Sequence, residues 1–291
     1  MQLFLNALIA GSFAALLASG LSLVYGVLGI FNMALGQLAL VGGLTTWWLA
    51  SVLSWPLAFA IAGGIGVTAL VTWLEFEFFV AEYYQRQRFL PLVTTIAFSM
   101  IIDGLVLMLF HEDPKTIDVG ARHLVPVVGA LISSQQILLI VLTILFLAIL
   151  TWILVATPFG RRIRATVQHP RAAESLGIRS SLLHRILFIV SGVLAGFSGI
   201  YLCIDQNLTP TIGFSITIKA YAALIAGGKD SLKGAILCAY LIALLEQLAV
   251  GLPWFGVYIP SGYQSTVALF VIIVILLFKP EGIFGKKIRI A

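Results

Sequence analysis

Repeated apolar runs of about 20 residues, broken by short polar loops, constrain this chain more than any motif does, because a helix of that length spans the hydrocarbon layer of a bilayer. The runs fall near residues 4–28, 36–53, 56–80, 90–110, 133–156, 185–204, 213–228, 232–250 and 261–279. With 60% hydrophobic and 10% charged residues and a mean hydropathy of +1.08, they exceed what a soluble core of 291 residues needs. Strand-period alternation is absent, and the runs are too long for barrel strands of roughly 9 to 11 residues. The fold expected is all-α: a polytopic bundle of eight or nine membrane segments, some of them short or broken. No Pro/Ser linker or long polar tract divides the chain, so residues 1–291 read as one domain.

The net charge of +5 and pI near 9.3 point to cytoplasmic loops rather than to nucleic acid, since an excess of Lys and Arg marks the inner side of membrane proteins. If residues 157–184 are inside, so are Arg86, Arg88, the six arginines from Arg161 to Arg185, Lys229, Lys233 and four C-terminal basic residues. That is 14 of 17 Lys and Arg, with only Lys115 and Arg122 outside and Lys219 within a segment. The asymmetry predicts a periplasmic N-terminus and a cytoplasmic C-terminus. Trp55, Trp254, Tyr258 and Tyr263 then sit at outer boundaries and Tyr83 and Tyr84 at an inner one, as interfacial aromatics do. The first Lys or Arg is Arg86, so the first segment lacks the basic start of a signal peptide and is expected to be retained. Cys203 and Cys238 lack metal-ligand spacing and read as small packing residues.

Two interruptions stand out. Residues 213–228, "GFSITIKAYAALIAGG", would rise only about 24 Å as a helix against a core of roughly 30 Å. The segment either crosses beneath a thinned boundary or is half of a broken helix, and Gly and Pro flank it on both sides ("LTPTIG", "AGGKDS"). Such backbone is tolerated at depth only against protein or water. The second interruption is "NMALGQ" at residues 32–37, followed by Thr45, where Asn32, Gln37 and Thr45 offer uncharged hydrogen bonds. Weak, multiple polar contacts suit a pathway that must also release its cargo; packing polarity in a bundle is the other reading. A charge at membrane depth costs roughly 2.5 to 3.5 kcal/mol and so faces a cavity or a partner. Lys219, Glu246 and Asp103 are in that position, and Lys219 and Glu246 are placed to form an ion pair.

The stretch "TPFGRRIRATVQHPRAAESLGI", residues 157–178, is basic and helix-forming in an apolar chain. Thr157 is placed to cap a helix with Pro158 at its first position, and Gly177 to end a second helix after the break at Pro170. The pair suits acidic lipid head groups. It equally suits a docking knob for another protein, with Ala172, Ala173, Leu176 and Ile178 as a small apolar contact ringed by charge.

That stretch, followed by "SGVLAGFSGIYL", resembles the cytoplasmic loop and next helix of branched-chain amino acid ABC transporter permeases. "GLSLVYGVLGIFNMALGQLALVGG", "KAYAALIAGGKDSLKGAILCAYLIALLEQL" and "FKPEGIFGKK" extend the resemblance in collinear order over most of the chain. Leu35 and Gln37 stand where the family, urea-type permeases included, usually has His and Glu. The resemblance implies a bacterial inner-membrane importer of two permease subunits, two ATPase subunits and a periplasmic substrate-binding protein. The permease pair would be a heterodimer. Residues 157–184 would be the coupling loop on the ATPase, with Arg161, Arg162, Glu174 and Gly177 carrying the coupling and Asn32, Gln37, Thr45, Lys219 and Glu246 lining the pathway.

Neither "AGGKDS" nor "IFGKK" has the Gly-x4-Gly-Lys-Ser/Thr spacing that wraps phosphates. No cofactor is therefore expected in this chain; ATP and Mg belong to the partner subunits. No His/Cys metal cluster or Ser/His/Asp arrangement is present in the sequence, so it offers no enzyme site. The cargo expected is a branched-chain or similar hydrophobic amino acid, with urea or a short amide as the alternative. A secondary transporter is the reading from another class, and it leaves the docking loop unexplained.

Overall fold

The computed structural model describes residues 1–84, 89–120, 124–127, 130–229, 231–252 and 260–285. Arg86, Arg88, Arg122, Trp254, Tyr258, Lys286, Lys287 and Arg289, on which the charge and aromatic readings drew, lie outside these residues. In chain order the elements begin with α1 (Gln2–Leu28), α2 (Leu35–Trp47, continued by a π turn Trp48–Val52), α3 (Leu57–Glu75, continued by a π turn Phe76–Val80) and α4 (Leu90–Phe110). Two short strands follow, β1 (Leu124–Val127) and β2 (Ala130–Ser133), then α5 (Ser134–Ala156), α6 (Pro158–Gln168), α7 (Pro170–Ser175) and α8 (Ser180–Asp205). The last elements are α9 (Gly213–Gly227), α10 (Leu232–Gly251) and α11 (Gln264–Phe278). Seven of these helices are long and apolar enough to cross a membrane, and α9 and α11 are shorter apolar helices.

The expected spans coincide with helices to within a few residues, apart from two corrections. The span placed at 185–204 begins at Ser180, so the loop expected over 157–184 closes at residue 179. Ser180, Leu183 and Leu187 are buried, and Leu183 and Leu187 pack on Ile163, which extends the helix past the apolar run. The second correction is the antiparallel β1–β2 pair between α4 and α5, where no strand was expected. Gln2 holds it: its Nε2 donates to the Leu131 carbonyl and its Oε1 accepts from the Leu131 N–H, both at 3.1 Å. A contact with residue 2 is invisible to local periodicity.

Helix ends are satisfied locally. Ser133 and Gln136 form a reciprocal capping box at the start of α5. Thr157 Oγ1 accepts the Gly160 N–H at 3.4 Å, with Pro158 at the first helical position, as the sequence implied. Buried hydroxyls on the packed faces turn back on their own helices: Thr46, Thr68 and Thr72 each donate to the carbonyl four residues earlier, at 2.7 to 2.8 Å. Such polar groups need a partner in a bundle whose surroundings supply no water.

α1 and α8 are the most enclosed spans and form the centre, with α2, α9 and α10 packed on them. α5 is the most exposed span. The helices define two ends of the bundle. One carries the start of α1, the β pair and a bridge between Lys115 and Leu208. The other carries the end of α1, α6 and α7, where Lys229 lies 6.0 Å from the Tyr25 ring and Arg185 pairs with Glu77 at 3.0 Å. The segment between α4 and α5 and the 157–178 stretch therefore stand at opposite ends.

Candidate functional site

Between α1 and α2 the chain leaves helical geometry inside the bundle, and side chains take over the freed backbone groups. Gly29 closes α1 in the left-handed region at φ 69°, where a side chain would be strained. Asn32 Oδ1 accepts the Ala34 N–H at 2.8 Å, and Thr95 on α4 accepts the Met33 N–H at 3.2 Å. The Gly36 N–H donates to Thr217 Oγ1 on α9 at 2.9 Å, and Thr217 in turn donates to the Gly213 carbonyl at 2.9 Å. A Cβ at Gly36 would overlap both the Gly213 carbonyl and the Thr217 hydroxyl, so only glycine permits this approach. α9, about 22 Å long as a helix, thus begins inside the bundle beside α2 rather than at its face. The two interrupted segments singled out in the sequence meet end to end.

Gln37 is fully buried one position beyond this contact, and its Nε2 donates to Asp103 Oδ2 on α4 at 3.3 Å. The exchange from the family's usual Glu then has a physical account: a carboxylate at 37 would face the Asp103 carboxylate, whereas an amide donates to it. Leu35 is also fully buried. Thr45 is half-buried, about two turns beyond Gln37 on α2. Lys219 and Glu246 form the ion pair that their positions allowed, at 3.1 Å between α9 and α10. It packs on Ala10, Phe13 and Ala14 of α1, beside a cavity of only about 10 Å³.

Sequence reasoning missed Glu75 and Tyr221. Glu75 ends the regular part of α3 and is completely enclosed; the Asn32 amide stands beside it and the Tyr221 phenol of α9 lies within its electrostatic reach. The signal was present, a carboxyl in the apolar run "TWLEFEFFV", but nothing in that run tells that it points inward. Thr95 and Thr217 were likewise unmarked, since threonine is unremarkable in a membrane helix.

At the other end, α6 and α7 form the surface pair read from the sequence. Arg164 turns back onto the carbonyls of Leu154 and Val155 and ties α6 to the end of α5. Arg161, Arg162 and Glu174 are exposed, and Gly177 ends the pair at φ 81°. The expected apolar knob is divided: Ala173 is buried and Ile178 packs inward beside Leu183, while Leu176 is 81% exposed. Ile178 is turned inward because it packs on Leu183 and Leu187 near the start of α8. Behind the pair lies a groove of about 900 Å³ lined by Tyr25, Gly29, Tyr84, Thr166, Glu174 and His184.

Seven long apolar helices, broken segments meeting at depth and a charged helix pair at one end define the chain as a polytopic membrane permease. The model of the family described as branched-chain amino acid transport system / permease component matches residues 3–277, and the chain belongs to that family. It is 30% identical to the high-affinity branched-chain amino acid transport system permease protein BraD of Pseudomonas aeruginosa, over 98% of this chain and 96% of that one. It is 26% identical to the corresponding permease protein LivH of Escherichia coli, with the same coverage. Among solved structures it shares its fold with a chain of PsaBC from Streptococcus pneumoniae in complex with Fab, at a TM-score of 0.54 and 15% identity over 97% of this chain and 93% of that one. The chain is accordingly a permease component of an ABC importer, a transport subunit rather than a catalytic one.

Proposed function

We propose that this chain is one of two permease subunits of an inner-membrane ABC importer that carries branched-chain or similar hydrophobic amino acids inward. Two partner ATPase subunits supply the driving force, binding ATP and Mg, and a periplasmic protein delivers the substrate. The N-terminus is periplasmic and the C-terminus cytoplasmic, which places α6 and α7 where an ATPase docks. The observation that carries the cargo assignment is the end-to-end similarity to BraD, a branched-chain amino acid permease protein, over 98% of the chain.

In this reading Asn32, Gln37, Thr45, Lys219 and Glu246 belong to the pathway, and Arg161, Arg162, Glu174 and Gly177 to the coupling surface. The meeting of α2 and α9 supports the first set: two helix starts at depth, moved relative to each other, open or close polar backbone to a passing solute. The exposed charges and Leu176 support the second. Affinity purification from the native membrane, followed by reconstitution with the delivered binding protein, tests the proposal. An ATPase and a second permease should copurify, and leucine, isoleucine or valine should enter liposomes only with ATP. A chain that purifies alone and transports on an ion gradient overturns it.

A further inference from the structure

Among the described residues, Glu75 is the one acidic side chain whose two carboxyl oxygens are both buried without a hydrogen-bond partner in the protein. Every other acidic group at depth has one: Asp103 has Gln37, Glu246 has Lys219 and Asp205 has Gln136. The groups around Glu75 are in the same condition. Asn32 Nδ2 and the Tyr221 hydroxyl are buried and unpartnered, although the Asn32 amide stands beside the carboxyl and Tyr221 lies within its electrostatic reach. Buried polar atoms are satisfied in the great majority of cases, so several unsatisfied ones within reach of one carboxyl, from two helices and a helix break, mark a place built for something else.

The chemistry of the group is specific. A carboxyl and a phenol oxygen supply acceptors for a cation, while the Asn32 amide nitrogen, a donor, stands beside the carboxyl. Aromatic rings stand alongside: Phe31 lies 5.6 Å from Tyr221 and 4.6 Å from Tyr25, centroid to centroid. Acceptors beside aromatic faces are the environment that holds an ammonium ion. The three residues come from the break before α2, from the end of α3 and from the short helix α9, the elements whose relative movement would open the pathway.

We propose that Glu75, with Tyr221, binds the ammonium group of the transported solute as α2 and α9 part, the Asn32 amide nitrogen orienting the carboxyl. This rests on the reading of the cargo as an amino acid, and it assigns to α3 a carboxyl not already paired with a side chain of the route, as Glu246 is with Lys219 and Asp103 with Gln37. The apolar side chain of the cargo needs no such contact, which leaves the site indifferent among leucine, isoleucine and valine and selective for the amino group they share.

The test uses the whole complex in liposomes with its binding protein, measuring leucine imported and ATP hydrolysed together. Glu75→Gln should lower leucine imported per ATP by about tenfold, as loss of a charged hydrogen bond does, and Glu75→Asp should restore most of it. Wild-type stoichiometry in Glu75→Gln overturns the proposal. Should Glu75→Gln fail to assemble, Tyr221→Phe decides: it removes one unpartnered hydroxyl, and normal leucine import per ATP in that variant overturns the proposal as well. If the wild type imports a different ammonium-bearing solute, the cargo assignment fails, and import of that solute per ATP decides the site: a tenfold loss in Glu75→Gln supports it and wild-type stoichiometry overturns it. Import of a solute without a cationic group overturns both.

Discussion

Gln37 on α2 donates its side-chain amide to Asp103 on α4 at 3.3 Å, joining a fully buried residue to a half-buried carboxyl 66 positions away. The pair fixes the rotation of α2 just beyond its break, where the Gly36 N–H reaches Thr217. Gln37→Glu should therefore destabilise the protein by about 1 to 3 kcal/mol, because it replaces a donor by a like charge. Adding Asp103→Asn should recover most of the loss. Thermal unfolding of the purified complex measures both, and equal stability of the single and double variants would remove this bond from the account of α2.

The Lys219–Glu246 pair makes a contrasting prediction. Glu246 is only 7% exposed at its side chain, so Lys219→Met leaves a buried charge and should cost about 3 to 5 kcal/mol, whereas Lys219→Met with Glu246→Leu should be close to neutral. Import by the stable double variant then reads the pathway role alone: loss of uptake places the pair on the route, and normal uptake makes it a structural lock between α9 and α10.

Gly36→Ala should disrupt the meeting of α2 and α9, since its Cβ overlaps the Gly213 carbonyl and Thr217 Oγ1. A cost of about 1 to 3 kcal/mol is expected for such overpacking. Gly66→Ala on α3 is the control, because a Cβ there meets nothing within 4 Å; it should be neutral or slightly stabilising. Matching denaturation midpoints for the two variants would argue against a tight contact.

On the coupling surface, Arg162→Glu should weaken coupling of ATP hydrolysis to uptake, and Leu176→Ser should lower the amount of ATPase that copurifies, each by roughly tenfold if the residue is an interface anchor. Both side chains are exposed in this chain, so neither change should alter its own unfolding. Unchanged coupling in Arg162→Glu, with weaker binding to anionic vesicles, would assign the helix pair to lipid instead.

The span positions, the surface helix pair and its caps were legible in the sequence because each is a local sum. Hydropathy adds transfer energies over about 20 consecutive residues, and Thr157, Pro158 and Gly177 act within a turn of where they stand. The Lys219–Glu246 pair was legible as well, because two opposite charges in adjacent apolar segments have few other partners. The tertiary structure alone decided the rest: Gly36 against Thr217 across 181 positions, Gln37 on Asp103, Glu75 beside Asn32, and the burial of Ala173 and inward turn of Ile178 that leave Leu176 exposed. These depend on the depth and rotation of each helix. In a soluble protein an apolar stripe reports rotation. In a bilayer the lipid-facing and core-facing sides of a helix are both apolar, and rotation follows from close packing and hydrogen bonds between helices distant in sequence.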